Sequence, residues 1–305
     1  MKAIINRQIT LAKPNTWKTK VMSFCFPFYP VKWRNSIHLM MLLASLIGLR
    51  LLTQIFSFPV GPSLRISFNW IPTALIGWMF GPVLSLLIGI IVDSITFFIS
   101  GGVWFWMYAI QEPLIMMLAG IIGSIYRLRL NGKSIIYDYF AFQIITLIFL
   151  ITGIVVLVQY SYIELNNNSV DILGVDKNVT LILTLTSLIT FFVVVQTILH
   201  LIVFRNKVNK KYPKLFIYVG LLGMLLSIIF SFVLGTVAAI NYYYYISGSN
   251  EPSSNFVLYG AYYYLIPRVI KETFKIPFFV LILTGIIKLA EPNLALIKQM
   301  KYQKW

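Results

Sequence analysis

The sequence predicts an all-α membrane protein, built as a bundle of about eight transmembrane helices. Of its 305 residues, 59% are hydrophobic and only 11% are charged, and the mean hydropathy is +0.83. A soluble domain carries roughly 25% charged residues. Apolar runs long enough to cross a hydrocarbon core of ~30 Å as helices recur along most of the chain. These observations exclude an ordinary soluble globule and predict a polytopic helical bundle.

Eight apolar runs define the predicted helices. The second run is short, and Gly81 and Pro82 separate it so closely from the third that the two form a hairpin with little exposed loop. The tails outside the runs are 1–36, which is basic, and 290–305, so the transmembrane domain is predicted at 37–289. The runs are Ile37–Phe56, Asn69–Phe80, Val83–Ser100, Val103–Tyr126, Ile135–Tyr160, Thr180–Phe204, Leu215–Ile246 and Val257–Leu289.

The charges between the runs predict the topology. If the N-terminus lies inside, the inner loops hold most lysines and arginines, such as Arg127, Arg129 and Lys210, whereas the acids Glu164 and Asp171 fall in an outer loop. The positive-inside rule then places both termini on the cytoplasmic side of a bacterial plasma membrane. Because this topology explains the net charge of +16, we expect the basic tails to meet the lipid bilayer and expect no nucleic-acid partner.

Motifs for metal binding and catalysis are missing from the sequence. Cys25 is the only cysteine, and His38 and His200 are the only histidines, which excludes an internal disulfide and argues against a structural zinc site. No Walker A pattern and no clustered serine and histidine pair occur. We therefore expect neither a cofactor nor an enzymatic activity, and any ATP-driven step would need another chain.

A polar link between the first two runs is the first candidate binding element. Arg65, Ser67, Asn69 and Trp70 are crowded at one mouth of the membrane, and Pro72 lies just inside the second run. A segment that only crossed lipid would not need these groups, because the bilayer cannot solvate them. We therefore predict that a ligand is held there.

Charged residues inside the runs form the second element. One interpretation is that they pair with one another, Asp93 with an arginine and Glu272 with Lys275 or Arg268. However, with Arg65 included, five cations face three acids, so pairing leaves excess positive charge that an anionic ligand from outside would balance. Arg50 is expected to extend to the outer interface instead. The set within the runs is Arg50, Asp93, Glu112, Arg268, Lys271, Glu272 and Lys275.

Aromatic residues near the same outer mouth are the third element. Single aromatic residues in such a protein usually belong to an interfacial belt. The segment Gly101–Trp106, with sequence GGVWFW, differs because two glycines precede three aromatic residues and allow a loop that folds over a flat ring. Stacking would suit a planar heterocycle. The candidates are Trp70, Trp104, Phe105, Trp106 and Tyr108.

Two small residues on the first helix are candidates for partner binding. Ala44 and Gly48 lie four residues apart. Such spacing permits close helix approach, either inside the bundle or against another protein. Both readings stay open from these residues alone.

Four stretches resemble the folate-specific substrate-binding subunit, or S component, of energy-coupling-factor (ECF) vitamin transporters. They are LRISFNWIP at Leu64–Pro72, FGPVLSLLIGIIVD at Phe80–Asp93, GGVWFW at Gly101–Trp106 and LIPRVIKETFKIP at Leu265–Pro277. The resemblance implies a six-helix core that binds a vitamin from outside and associates with a transmembrane coupling subunit and two ATPase subunits. It also implies that Arg65 and Ser67 lie in the first outer loop over the pocket, that the Gly101–Trp106 loop forms its other wall, and that Arg268 belongs to the last helix. Ala44 and Gly48 resemble the small-residue motif that such subunits present to the coupling subunit.

Two departures from that family matter. Met107 and Tyr108 follow the aromatic loop where the family usually has a Pro-Gly turn, which leaves the vitamin open. The hairpin at 135–204 has no counterpart in the six-helix core and is predicted to be an insertion.

The predicted function is therefore vitamin binding, with folate or a related pterin favoured, for an ATP-driven importer. The alternatives are an S component for another vitamin such as riboflavin, and a stand-alone transporter that uses Asp93 or Glu112 as a proton carrier. A membrane enzyme is a third class, for which Glu112 near Asp93 is a weak basis. The predicted substrate-binding residues are Arg65, Ser67, Asn69, Trp70, Asp93, Trp104, Phe105, Trp106, Tyr108, Glu112, Arg268 and Lys271.

Overall fold

The computed structural model describes the backbone of most of the chain. The described residues are 17–28, 37–59, 65–101, 103–130, 135–163, 176–205, 211–248 and 259–299. Nearly all of them are helical, and the exception in regular structure is a short antiparallel ribbon that pairs Ser57 with Ser67 and Pro59 with Arg65. The prediction of an all-helical membrane bundle is confirmed.

The elements follow the predicted runs closely. In chain order they are α1 (Trp17–Cys25), α2 (Ile37–Ile55), β1 (Ser57–Pro59), β2 (Arg65–Ser67), α3 (Trp70–Phe80), α4 (Pro82–Ser100), α5 (Trp106–Ala109), α6 (Gln111–Arg129), α7 (Ile135–Ser161), α8 (Lys177–Arg205), α9 (Lys211–Leu226), a π-helix (Ser227–Leu234), α10 (Gly235–Ser247) and α11 (Tyr262–Gln299).

Seven helical segments of the described chain are long and apolar enough to span a membrane. They begin at Ile37, Pro82, Trp106, Ile135, Lys177, Tyr212 and Tyr262. The remaining run, the second along the chain, is the shorter apolar helix α3, as its length in the sequence indicated. The chain is therefore a multi-pass membrane protein.

The α3–α4 hairpin packs unusually closely against α6. Gly81 turns the chain at φ +80°, a conformation that favours glycine. A Cβ atom at Gly77 would lie 2.2 Å from the Met116 carbonyl oxygen, and one at Gly120 would lie 2.5 Å from backbone atoms of Gly81 and Pro82. The glycines therefore let the backbones of the hairpin and α6 touch, which fixes the position of Trp70 at the start of α3.

Part of the predicted N-terminal tail packs beneath this hairpin. The Ser124 hydroxyl of α6 donates to the Phe24 carbonyl oxygen at 2.8 Å, and the Phe28 and Phe80 rings are 5.7 Å apart. Residues 17–28 are thus attached to the bundle. By the predicted topology, this end is the cytoplasmic one.

The α7–α8 hairpin, predicted as an insertion, is packed into the bundle. Phe142 on α7 lies against Gly220 of α9, where a Cβ atom would be 2.5 Å from its ring. Gln143 and Gln196 exchange amide hydrogen bonds of 2.8 and 2.7 Å between the two hairpin helices. Asp138 accepts from the Tyr218 hydroxyl at 2.9 Å. The hairpin is therefore held by specific contacts as well as by apolar packing.

Candidate functional site

A cavity of about 290 Å³ lies between α3, α6, the α9–α10 region and α11. Ligand pockets start at roughly 300 Å³, so the cavity has the size for one small molecule. Its lining residues are Ser67, Asn69, Trp70, Tyr108, Gln111, Ile115, Gly223, Leu226, Phe230, Ser231, Gly235, Arg268, Lys271, Glu272, Lys275, Ile276 and Phe279.

Three cations of α11 face the cavity beside one carboxylate. Glu272 is fully buried and accepts hydrogen bonds from Lys275 at 2.8 and 2.9 Å and from the Ser227 hydroxyl at 2.6 Å. The Lys271 ammonium is 3.9 Å from Glu272, beyond hydrogen-bonding distance. Glu272 therefore neutralises Lys275, while Arg268 and Lys271 leave the cavity wall positively charged.

The Arg268 side chain, from α11, packs against the junction between the π-helix and α10. Its Nη1 donates to the Ser231 carbonyl oxygen at 3.0 Å and to the Thr236 hydroxyl at 3.2 Å. A Cβ atom at Gly235 would lie 2.6 Å from the same nitrogen. The guanidinium can approach this closely because residue 235 has no side chain, and both of its acceptors are neutral.

The cavity also has an aromatic wall and two unpaired hydrogen-bond donors. The Trp70 and Phe279 rings are 5.0 Å apart, and the Lys275 ammonium lies 5.7 Å from the Trp70 ring. Trp70 Nε1 and Gln111 Nε2 are buried and have no hydrogen-bond partner among the described residues. Buried donors normally find acceptors. A ligand with a flat ring and acceptor atoms would satisfy both.

Six of the predicted binding residues lie together in this cavity. Asp93, Trp104, Phe105, Trp106 and Glu112 do not line it, and the side chain of Arg65 lies outside the described atoms. The six are Ser67, Asn69, Trp70, Tyr108, Arg268 and Lys271.

Glu112 is engaged in a buried ion pair next to the cavity. Arg50 donates two hydrogen bonds to its carboxylate, at 2.5 and 2.7 Å, and the Thr73 hydroxyl donates a third at 3.2 Å. Only 3% of Arg50 is exposed, so the expectation that Arg50 extends to the outer interface was wrong. Asp93 is half-buried and forms no hydrogen bond or ion pair with the described residues, so the arginine pairs with Glu112 and not with Asp93.

The aromatic loop packs on α10 more than on the cavity. Phe105 is buried against the rings of Tyr108, Tyr242 and Tyr245, at 5.4–5.7 Å between centroids. Trp104 and Trp106 are more than half exposed. Gly102 lies outside the described residues. Phe105 thus holds the loop in place, and Tyr108, which follows the loop in α5, lines the cavity.

Comparison of the whole sequence with known proteins finds close relatives in two mycoplasmas. The chain is 37% identical over 275 residues to "Uncharacterized protein MG313" of Mycoplasma genitalium, and the alignment covers 88% of this chain and 95% of that protein. The chain belongs to the MG313 family. The "Uncharacterized protein MG313 homolog" of Mycoplasma pneumoniae is 34% identical over 278 residues, with the same coverage.

This MG313-family protein was also compared with family models and with solved structures. No family model matches the sequence. A crystal structure of FolT bound with folic acid is similar at a TM-score of 0.40 with 14% identity, covering 81% of this chain and 90% of that one. A similarity of this degree does not establish a shared ligand.

Sequence reasoning missed several cavity residues of the MG313-family protein. Gln111 directly precedes Glu112, but nothing in the sequence separates the donor that faces the cavity from the acid that pairs with Arg50. Ser231 and Gly235 lie in an apolar run in which nothing marks them as binding residues. They meet Arg268 at the end of the π-helix, which the sequence did not predict. Lys275 was among the charges considered, and of the two partners suggested for Glu272, Lys275 and Arg268, the structure shows Lys275.

Ala44 and Gly48 of the MG313-family protein lie on the outer surface of α2. Ala44 is exposed, and a Cβ atom at Gly48 would meet nothing within 4 Å among the described residues. Internal close packing therefore does not explain Gly48, and this face of α2 meets either lipid or another protein.

Proposed function

We propose that this MG313-family protein is the substrate-binding subunit of an ECF-type, ATP-driven vitamin importer in a bacterial plasma membrane. One observation carries the proposal: a cavity inside a membrane bundle combines excess positive charge with an aromatic wall and unpaired N–H donors. Such a site fits a flat, anionic small molecule with acceptor atoms. The function needs binding without catalysis, so the energy for uptake would come from other chains.

Sequence likeness supports the vitamin class. Trp70, Arg268 and Lys271 lie on stretches that resemble the folate S component, and the same residues line the cavity. Folate or a related pterin is therefore the favoured ligand. Riboflavin is the alternative vitamin, because Tyr108 lines the cavity where the resembled family has a turn, but it has no negative charge that would balance the cations of α11.

Two measurements test this proposal. Mass spectrometry of small molecules that survive purification would identify a resident ligand without a prior guess. Isothermal titration of the purified protein with folate and with riboflavin would then rank the candidates. Absence of binding to either vitamin, together with no co-purified ligand, would contradict the proposal.

Arg65 is expected to bind the ligand directly. A guanidinium offers a planar fork of donors that suits a carboxylate or the acceptor edge of a pterin, which a lysine cannot reproduce. We expect Arg65→Lys to weaken folate binding nearly as much as Arg65→Ala, by about ten- to a hundredfold for the loss of one charged hydrogen bond. Isothermal titration measures both variants. Unchanged affinity in both would mean that Arg65 only anchors its strand at the membrane surface.

The proposed partners are a transmembrane coupling subunit and two ATPases, with the exposed face of α2 as the contact. We expect Gly48→Leu to leave ligand affinity unchanged, because a Cβ atom there meets nothing within 4 Å in the described part of the chain, but to prevent co-purification with the coupling subunit. Gly285→Leu is the matched control, since that helical glycine also has no neighbour within 4 Å. Loss of assembly with both variants, or with neither, would reject the α2 contact.

A proton-coupled transporter is the second candidate, favoured by one observation. The half-buried Asp93 has no partner among the described side chains, as a proton-carrying carboxylate would require. Transport by the purified chain alone in liposomes, abolished by a protonophore and by Asp93→Asn, would support this candidate. Uptake that needs ATPase subunits would reject it.

A further inference from the structure

We infer that the ligand is a flat molecule with two negative charges, which lie against Arg268 and Lys271, an inference that rests on the proposed function. The sequence alone indicated an excess of cations but not where it lies. In the structure the seven charged residues that the sequence placed inside the apolar runs separate into two groups, one around Arg50 and Glu112 and one in the cavity. Acids match or outnumber cations in the first group, and cations outnumber acids in the second.

The group outside the cavity carries no positive excess. Arg50 is matched by Glu112, with hydrogen bonds to both carboxylate oxygens. Asp93 lies within electrostatic reach of both residues. The anionic ligand is therefore not needed to balance Arg50.

The cavity group, in contrast, has more cations than acids. Glu272 is the only acid among the described lining residues, and its two oxygens receive Lys275 and Ser227. Arg268 bonds only to neutral oxygens, which stabilise the guanidinium but leave its charge uncompensated. Lys271 forms a longer ion pair with Glu272, at 3.9 Å, and no hydrogen bond within the described part. One carboxylate thus faces three cations, and one dianionic ligand would balance the two positive charges in excess, which are costly in a partly buried site.

The positions along α11 also separate the two ends of the ligand. At about 1.5 Å per residue, Arg268 lies about 10 Å and Lys271 about 6 Å before Lys275 along the helix axis. Lys275 and Phe279 flank Trp70, so the aromatic wall lies at the far end. The flat ring thus belongs against Trp70 and Phe279, with Trp70 Nε1 and Gln111 Nε2 donating to its acceptors, and the anionic groups belong near Arg268.

Matched ligand pairs test the charge count. Folate carries two carboxylates on its glutamate tail, and pteroate has the same rings with one carboxylate. Isothermal titration of the purified full-length protein is expected to show folate binding about ten- to a hundredfold more tightly than pteroate. Terephthalate and benzoate repeat the comparison without a pterin, and we expect the dianion to give the larger thermal stabilisation.

A matched pair of variants locates the second charge. Lys271→Met should bring folate affinity down to that of pteroate while changing pteroate binding little. Lys288→Met is the control, because Lys288 is on the same helix, exposed, and stacked over Tyr212 outside the cavity. In this variant the difference between folate and pteroate should persist.

The outcomes distinguish this inference from the proposed function. Equal affinity for folate and pteroate would overturn the two-charge inference and leave vitamin binding intact. The protein could instead bind no vitamin but still favour terephthalate over benzoate, and lose that preference in Lys271→Met. This result would overturn the proposal that the ligand is a vitamin and support the inference that it carries two negative charges. Equal effects of terephthalate and benzoate in that case would overturn both.

Discussion

Replacing Glu112 by leucine is expected to lower the free energy of unfolding by about 3–5 kcal/mol, the cost of removing one partner from a buried ion pair. Arg50 is 3% exposed, its guanidinium stays charged, and its other side-chain acceptor is Gln54 at 3.5 Å. SDS-induced unfolding in mixed micelles, followed by tryptophan fluorescence, measures the change. The effect is this large because the variant leaves a charge inside the membrane without its counterion.

The double variant Arg50→Met/Glu112→Leu is the control for this prediction. Replacing both members of a buried pair by apolar residues is often neutral, so most of the lost stability should return. Because Asp93 lies within electrostatic reach of Arg50, Glu112→Leu is also measured with Asp93→Asn, which should destabilise further if Asp93 takes over the arginine. A double variant as unstable as Glu112→Leu would show that the loss comes from packing and not from charge.

Gly77→Ala is expected to cost about 3 kcal/mol, the upper end of the range for overpacking. The added methyl group would lie 2.2 Å from the Met116 carbonyl oxygen and 2.7 Å from the Ala119 Cβ atom. Because the first of these is backbone of α6, α3 must move away as a unit. That movement displaces Trp70, so ligand affinity should fall along with stability in the same purified variant.

Gly285→Ala provides the matched comparison. Gly285 is also inside a helix, but a Cβ atom there meets nothing within 4 Å among the described residues. Alanine should therefore stabilise the protein slightly, by up to about 1 kcal/mol, through its better helix propensity. If Gly77→Ala behaved like Gly285→Ala, the close contact between α3 and α6 would not exist in the membrane.

The sequence was sufficient to predict the helices because hydropathy reports them locally. Each apolar run is mostly helical, and even the short α3 was recognisable from its length. The differences are that the fourth run is divided into α5 and α6, the seventh contains the π-helix, and α11 continues to Gln299, beyond the end of the last run. The charged face of α11 was equally local: Arg268, Lys271 and Lys275 repeat at helical spacing, so their convergence followed from the periodicity.

Contacts between distant segments could not be predicted in this way. Arg50 and Glu112 are 62 residues apart, and no pattern in one sequence identifies such a pair. Counting the charges of all the apolar runs together concealed that, among those with described side chains, the positive excess lies in the cavity group. Phe105 was predicted to meet the ligand because it lies in the aromatic loop, but the tyrosines of α10 that bury it come from a distant part of the chain.

The π-helix sets the rotational phase between the two halves of the long α9–α10 segment. Each residue advances an α-helix by about 100°, so the wider π-turns offset α10 from the orientation that an uninterrupted α-helix would give it. In the observed phase Gly235 faces Arg268, and Tyr242 and Tyr245 face Phe105. The number of residues in Ser227–Leu234 is consequently constrained more tightly than their identity. An apolar substitution preserves the phase, whereas a one-residue deletion would turn Gly235 away from Arg268 and Tyr242 and Tyr245 away from Phe105 at the same time.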